Sequence, residues 1–385
     1  MKRTLAGCFV ALIGIALCAK SPDASSVHFV VANDGAVANI ASVFDLSSLS
    51  NPTLTLDKTL PTGGNGINDV QGVPETAIVQ HGTDVCVYLS DPTSADVAAF
   101  LYPGFSRVGR YKISGVMDSE FGMGVAGRGN FLFSSYSTTE DQFVIATWNI
   151  GSGCALTLAT TLDVPGSTDS MAISPNGQTL IATYAYPLPS VDSFSVATDG
   201  TLTEHGPYGG PFDTPNGVDI TADSKYAIVG EIGGQPDDPT QVGIYEISTD
   251  GSLGTYITYG GDGSLGPSSH TGYVWLSPNE KFLFVSGGGP NLPITTLNFN
   301  EDLQQVTYSG CSTTVQASNT SGFATARPSG SGDLLYLAIY RDTAGVAVFQ
   351  IDSTTGCLTA VPGSPFSSGI RGMEFSVAAW PPRPF

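Results

Sequence analysis

The sequence predicts an all-β chain, a seven-bladed β-propeller of four-stranded antiparallel blades. Three observations carry that expectation: a hairpin phrase that repeats, a near-constant spacing between its copies, and complementary fragments at the two chain ends. The phrase is clearest from Asp169 to Thr183, DSMAISPNGQTLIAT, where two apolar runs flank a Pro-Asn-Gly turn. Asn176-Gly177 can take the positive φ values that a tight hairpin needs. Aligned on Ile173, the counterparts are Ile78, Val125, Ile220, Leu276, Ala326 and Phe375, and the central intervals are 47, 48 and 47 residues. A lone hairpin is barely stable in water, so such units must stack to bury their faces.

In chain order, the first 19 residues read as a signal peptide. Lys2 and Arg3 precede an apolar run from Leu5 to Leu17 that is too short to span a bilayer as a helix, and cleavage after Ala19 is expected. Lipid anchoring at Cys18 is the alternative, with Leu17 bulky for the position before it. Residues 27–380 read as one propeller and residues 381–385 as a Pro-rich tail. The first unit is HFVVAND followed by strands at Asn39–Leu46 and Thr53–Leu60, with no inner partner of its own. Units two and three keep the frame through DVCVYLS and FLFSSYS. The fourth has strands a to d at Met171–Ser174, Thr179–Thr183, Ser190–Val196 and Leu202–His205, with Asp199-Gly200 turning c into d. VDIT, YAIVGE and QVGIYEIS repeat this in the fifth, VWLSPNEKFLFVSG and TTLNFN in the sixth, LLYLAIY, VAVFQID and CLTAV in the seventh. The strand from Gly372 to Val377 has no successor and is expected to complete the first blade, closing the ring.

Composition limits the partners. With 34 acidic and 14 basic residues the net charge is -20, which repels nucleic acid and anionic membrane surfaces. No transmembrane span is expected, and the chain reads as a secreted or periplasmic monomer. Beyond the leader, Cys86, Cys154, Cys311 and Cys357 are an even set, as disulfides in an exported protein require. The repeat frame argues the other way, because Cys154 and Cys357 occupy the same hairpin position in blades that are not neighbours.

In a propeller the d-to-a and b-to-c connections share the face around the channel mouth, and a concave mouth is the usual ligand site. Four residues before each anchor stand Pro74, Phe121, Asp169, Asn216, Gly272, Gly322 and Arg371. The b-to-c ends add Asp34, Asp91, Glu140, Asp141, Glu231, Asp237, Asp238, Arg341 and Asp342, with His270 and Glu120 near the rim. The expected site is an acid-rich funnel with His270 as its imidazole. Gly261, Gly263 and Gly266 match GxGxxG, but Pro267 and a Ser-rich turn stand where a dinucleotide fold needs a helix.

The phrase SPNGQTLIATYA...VDSFSVATDGTL, with SPNEKFLFVSG and TGCLTAVPGSPF, resembles the seven-bladed lactonase family of bacterial 6-phosphogluconolactonase and fungal carboxymuconate cyclase. The resemblance implies a Glu at the end of one strand b, matched by Glu231. It also implies an Arg-His pair and a preceding His, which here are Asn216-Gly217 and Asp169. TPNGVDITADSKYAIV resembles the PNG-initiated blade of calcium-dependent gluconolactonases, whose Asn is a metal ligand. On that likeness Asp169, Asn216 and Glu231 would hold a hard divalent cation such as calcium.

Two readings follow. One is a hydrolase of a lactone or related ester, with Glu231 or Asp169 as general base, and Arg371, Arg341 or the cation stabilising the oxyanion. In it His270 is a further catalytic candidate, and Asn216, Arg341 and Glu120 contact a small-molecule lactone or sugar. The other is a non-catalytic binding or scaffold propeller that contacts an extracellular protein or glycan. The sequence leaves open whether the chain is an enzyme.

Overall fold

The computed structural model describes residues 29–34, 38–46, 51–66, 76–116, 123–137, 142–187, 189–208, 214–231, 241–266, 272–286, 293–302, 304–315, 319–326, 332–340, 345–369 and 374–381. Blade 1 contains β1 (Phe29–Asp34), β2 (Ile40–Leu46) and β3 (Leu54–Pro61), and blade 2 β4 (Thr76–His81), β5 (Asp84–Asp91), β6 (Asp96–Tyr102) and β7 (Ser106–Tyr111). Blade 3 follows with β8 (Val125–Arg128), β9 (Phe131–Ser137), β10 (Phe143–Ile150) and β11 (Leu156–Val164). In blade 4 the strands are β12 (Ser167–Ile173), β13 (Thr179–Tyr186), β14 (Ser190–Val196) and β15 (Leu202–Glu204). Blade 5 is β16 (Pro215–Ile220), β17 (Tyr226–Glu231), β18 (Gln241–Ile247) and β19 (Leu253–Gly260). Blade 6 is β20 (Tyr273–Leu276), β21 (Phe282–Ser286), β22 (Pro293–Asn300) and β23 (Gln305–Thr314). Blade 7 is β24 (Asn319–Ala326), β25 (Asp333–Tyr340), β26 (Gly345–Ile351) and β27 (Leu358–Ala360), with β28 (Phe366–Ser367) also on β26. The last strand, β29 (Glu374–Trp380), pairs antiparallel with β1, Val30 facing Ala379, so the blade order is β29-β1-β2-β3 and the ring closes as expected.

The apolar core lies between the blades. Seven clusters of buried side chains occupy the seven seams. Alternate residues of one strand serve opposite seams: Leu180, Ala182 and Tyr184 of β13 pack against blade 3, and Ile181 packs against blade 5. Strands buried on both faces read as unbroken apolar runs, which explains LIATYA.

The repeated turn has a repeated mechanism. In blade 4 the Ser174 hydroxyl donates to Asn176 Oδ1 at 2.7 Å and accepts from the Thr179 N–H at 2.9 Å, while Gln178 N–H donates to the same Oδ1. Thr221 and Asp223 repeat this in blade 5, Ser277 and Asn279 in blade 6. The next position is left-handed in all three, Gly177 at φ +74°, Ser224 at +65° and Glu280 at +56°. The side-chain bonds hold Ser224 and Glu280 in a conformation that glycine adopts more easily.

The c-to-d turns of blades 3, 4 and 7 lean on the preceding blade. A Cβ on Gly200 would lie 2.8 Å from Phe131 Cε1 and Thr147 Cγ2 of blade 3. One on Gly356 would lie 2.5 Å from Phe282 Cδ1 and 2.8 Å from Thr296 Cγ2 of blade 6. The disulfides use the same contact. Cys154 in the blade 3 turn joins Cys86 on β5, and Cys357 in the blade 7 turn joins Cys311 on β23. The two turn cysteines therefore do not pair with each other; each staples its blade to the one before.

Candidate active site

Asp169 and Asn216 stand at the same end of neighbouring inner strands, β12 and β16. They are 4% and 3% exposed. The Thr183 hydroxyl of β13 donates to the Asn216 carbonyl, which ties blade 4 to blade 5 at this level. Thr168, Ser170 and Thr183 make a buried polar collar around the upper part of blade 4. Burial raises the Asp169 carboxyl from 3.8 to about 7, because no cation among the described residues offsets the cost of removing its charge from water. Asn216 Oδ1 and Thr168 Oγ1 are buried and find no hydrogen-bond partner among the described residues. A carboxyl poised near neutrality can take a proton, and acceptors without partners on the same and the neighbouring strand can receive hydroxyl groups.

Gly217 follows Asn216 for a steric reason. Its N–H donates to the Gly272 carbonyl at 2.6 Å, and a Cβ there would meet Gly272 O, Tyr273 Cα and Val274 N, each at 2.9 Å. The inner strands of blades 5 and 6 approach too closely for the imidazole that the lactonase pattern places at this position. The departure from that pattern is thus built into the backbone.

Glu231 ends β17 and pairs across to Pro215, next to Asn216, so its backbone belongs to the same corner. Its side chain lies outside the described residues, as do Glu120, His270, Arg341 and Arg371, the leader with Cys18, and residues 382–385 of the tail. Among the described residues, no three His, Cys, Asp or Glu side chains gather as a metal group. The donor chemistry of Asp169 and Asn216, a carboxyl and an amide oxygen on neighbouring inner strands, nevertheless suits a hard cation. Among those residues, no helix is long and apolar enough to cross a membrane.

Two carboxyls differ from what the sequence leads one to expect. Asp91, expected on the rim, is fully buried against blade 1. Asp192 on β14 was not expected at all; it is buried with both oxygens lacking a hydrogen-bond partner among the described residues. The signal for Asp192 is present in SVDSFSV, where it shares a strand face with Phe194.

No protein-family profile matches the chain. The 6-phosphogluconolactonases of Yersinia pestis and Yersinia pseudotuberculosis are 41% identical over 71 residues, 18% of this chain and 21% of theirs, so the match spans about a fifth of those relatives. A candidate 6-phosphogluconolactonase from Bacteroides fragilis superposes with a TM-score of 0.62 at 16% identity, over 92% of this chain and 98% of that one. The periplasmic gluconolactonase of Pseudomonas aeruginosa gives 0.61 at 13% identity, over 91% and 96%. The chain has the fold of the seven-bladed lactonase-like propellers. A hypothetical selenium-binding protein of Sulfolobus tokodaii shares that fold, with a TM-score of 0.63 at 8% identity over 92% of each chain. Chemistry must therefore be argued from this chain's own residues.

Proposed function

We propose that the chain is an exported lactonase-like hydrolase that opens a lactone or related ester at the channel mouth, with Asp169 as general base. The observation that carries this reading is the buried Asp169 carboxyl, raised to about 7 on the strand beside Asn216. In its ionised form Asp169 takes a proton from water as the oxygen attacks the carbonyl carbon. When the acyl C–O bond breaks, the same carboxyl returns the proton to the leaving alkoxide, and a hydroxy acid is released. Asn216 orients the substrate by accepting from one of its hydroxyls. Arg371 and Arg341 are proposed for the oxyanion, with Glu231 and His270 as alternative proton carriers and Glu120 as a further contact. A divalent cation such as calcium, if held by Asp169, Asn216 and Glu231, would polarise the carbonyl.

Export to the periplasm or beyond is supported by the cationic, apolar N-terminal segment and by two inter-blade disulfides, which persist in oxidising compartments. The periplasmic gluconolactonase of the same fold agrees with it. The binding-protein reading draws on Asn216-Gly217, which removes the lactonase pair. A panel of sugar lactones, assayed with calcium, manganese and EDTA alongside thermal melting, separates the two. Hydrolysis supports the enzyme; no hydrolysis and no metal-dependent shift support the binding protein.

A further inference from the structure

The seam between blades 1 and 2 holds a polar network among otherwise apolar contacts. Asp91, at the end of β5, and Asp96, at the start of β6, face each other across the hairpin and are 0% and 4% exposed. Asp91 Oδ1 accepts from Asn39 Nδ2 and from the Thr62 hydroxyl, each at 2.7 Å, and both donors belong to blade 1. Asp91 Oδ2 has no such donor among the described residues. The Asp96 oxygens are taken by Arg110 of β7, through Nε at 2.9 Å and through Nη2. The cations of this region grip the same junction. Arg107 donates to the Thr62 carbonyl at 2.9 Å, and Lys112 to the Ser94 carbonyl at 3.0 Å.

Among the described residues Arg110 is the only cation bonded to either acid, and Asp91 Oδ2 has no donor. A metal ion has too few ligands here: among the described residues no three His, Cys, Asp or Glu side chains gather, and Arg110 already covers Asp96. A hydrogen atom fits. We propose that Asp91 and Asp96 share one proton, and that this proton fastens blade 1, the composite blade that closes the ring, to blade 2.

The surroundings agree. Burial foremost, then the neighbouring Asp96, raises the Asp91 carboxyl to about 7 against the opposing bonds from Thr62 and Asn39. On β9 of blade 3 the buried phenol of Tyr136 feels the charge of Asp96, and from β7 come Arg110, Arg107 and Lys112. Blade 1 presents only uncharged Asn39, Thr62 and Gly64 among the described contacts. Loss of the proton therefore sets two carboxylates against each other at a seam whose blade 1 side has no charge to answer them. The ring's closing blade becomes less firmly held as pH rises.

Hydrogen exchange of the full chain, read by mass spectrometry at pH 5.5 and 8.5 and corrected for the intrinsic rate, tests this. Protection in β2, β3, β5 and β6 is expected to fall at least about tenfold at the higher pH, as a proton-linked opening demands, while the apolar seam between blades 6 and 7 keeps its protection. In Asp91→Asn, whose amide donates to Asp96 at any pH, the difference should vanish. Unchanged wild-type protection overturns the proposal, and this comparison needs no variant. So does a wild-type pH response in Asp91→Asn, or a loss of protection on adding EDTA at pH 5.5, which would put a cation where the proton is placed.

Discussion

Replacing Asp192 by asparagine should stabilise the protein at high pH relative to low pH. Asp192 lies on the seam face of β14, opposite Ala182, with the Gly206 backbone against its Oδ1 and no hydrogen-bond partner for either oxygen among the described residues. Burial, and secondarily the charge of Glu204, raises its carboxyl from 3.8 to about 7. Between those values the folded chain binds a proton that the unfolded chain has lost, so stability falls as pH rises from about 4 to about 7 and then levels off. A displacement of about 3 pH units at about 1.4 kcal/mol each sets a ceiling of about 4 kcal/mol. Between pH 5 and pH 8.5 about two of those units are crossed, a ceiling of about 3 kcal/mol, which partial hydration and screening of Glu204 bring to about 2 kcal/mol. Asparagine carries no charge to lose, although its unbonded amide costs something at every pH. The informative quantity is therefore the change in ΔΔG between pH 5 and pH 8.5 from urea unfolding. A shift of about 2 kcal/mol in favour of Asp192→Asn is expected. A ΔΔG equal at both pH values would refute the reasoning, since it would mean that the carboxylate is stabilised where it lies.

Three further outcomes follow from the packing. Replacing Cys86 and Cys154 together by serine removes a staple that closes a loop of 68 residues between blades 2 and 3, and should lower stability by about 4 kcal/mol in calorimetry. Gly200→Ala places a methyl 2.8 Å from Phe131 and Thr147 at φ +86°, and should cost about 2 kcal/mol by chemical unfolding. Deleting residues 374–385 removes β29 from β1 and exposes Val30 and Phe29, so the chain should bind a hydrophobic dye and lose its cooperative melt.

The blades were legible because each hairpin carries its own instructions. Ser174, Asn176 and Gly177 make the turn from within six residues, and their copies in blades 5 and 6 keep the same bonds with Thr221 and Asp223 or Ser277 and Asn279 while Ser224 and Glu280 take the left-handed position. Closure was legible too, since β1 and β29 are fragments of one blade. What escaped reading depends on contacts between blades. Asp91 ends its strand as a rim acid would, and its burial comes from Asn39, 52 residues earlier. The disulfides were obscured because the repeat frame compares Cys154 with Cys357, whereas their partners sit on different strands, β5 and β23. In the candidate site Asp169 and Asn216 were legible from the alignment. Thr183 was not, because a threonine in an apolar strand reads as filler until its hydroxyl meets the Asn216 carbonyl of the next blade.

The central claim, that Asp169 works as a base at the channel mouth, is tested most directly by the pH dependence of lactone opening. Initial rates for a neutral sugar lactone, corrected for spontaneous hydrolysis, should rise with pH and level off above about 7 as the buried carboxyl ionises. Asp169→Asn should lose about a hundredfold or more in rate, together with that inflection. Full activity in Asp169→Asn, with the wild-type pH profile intact, would contradict the account.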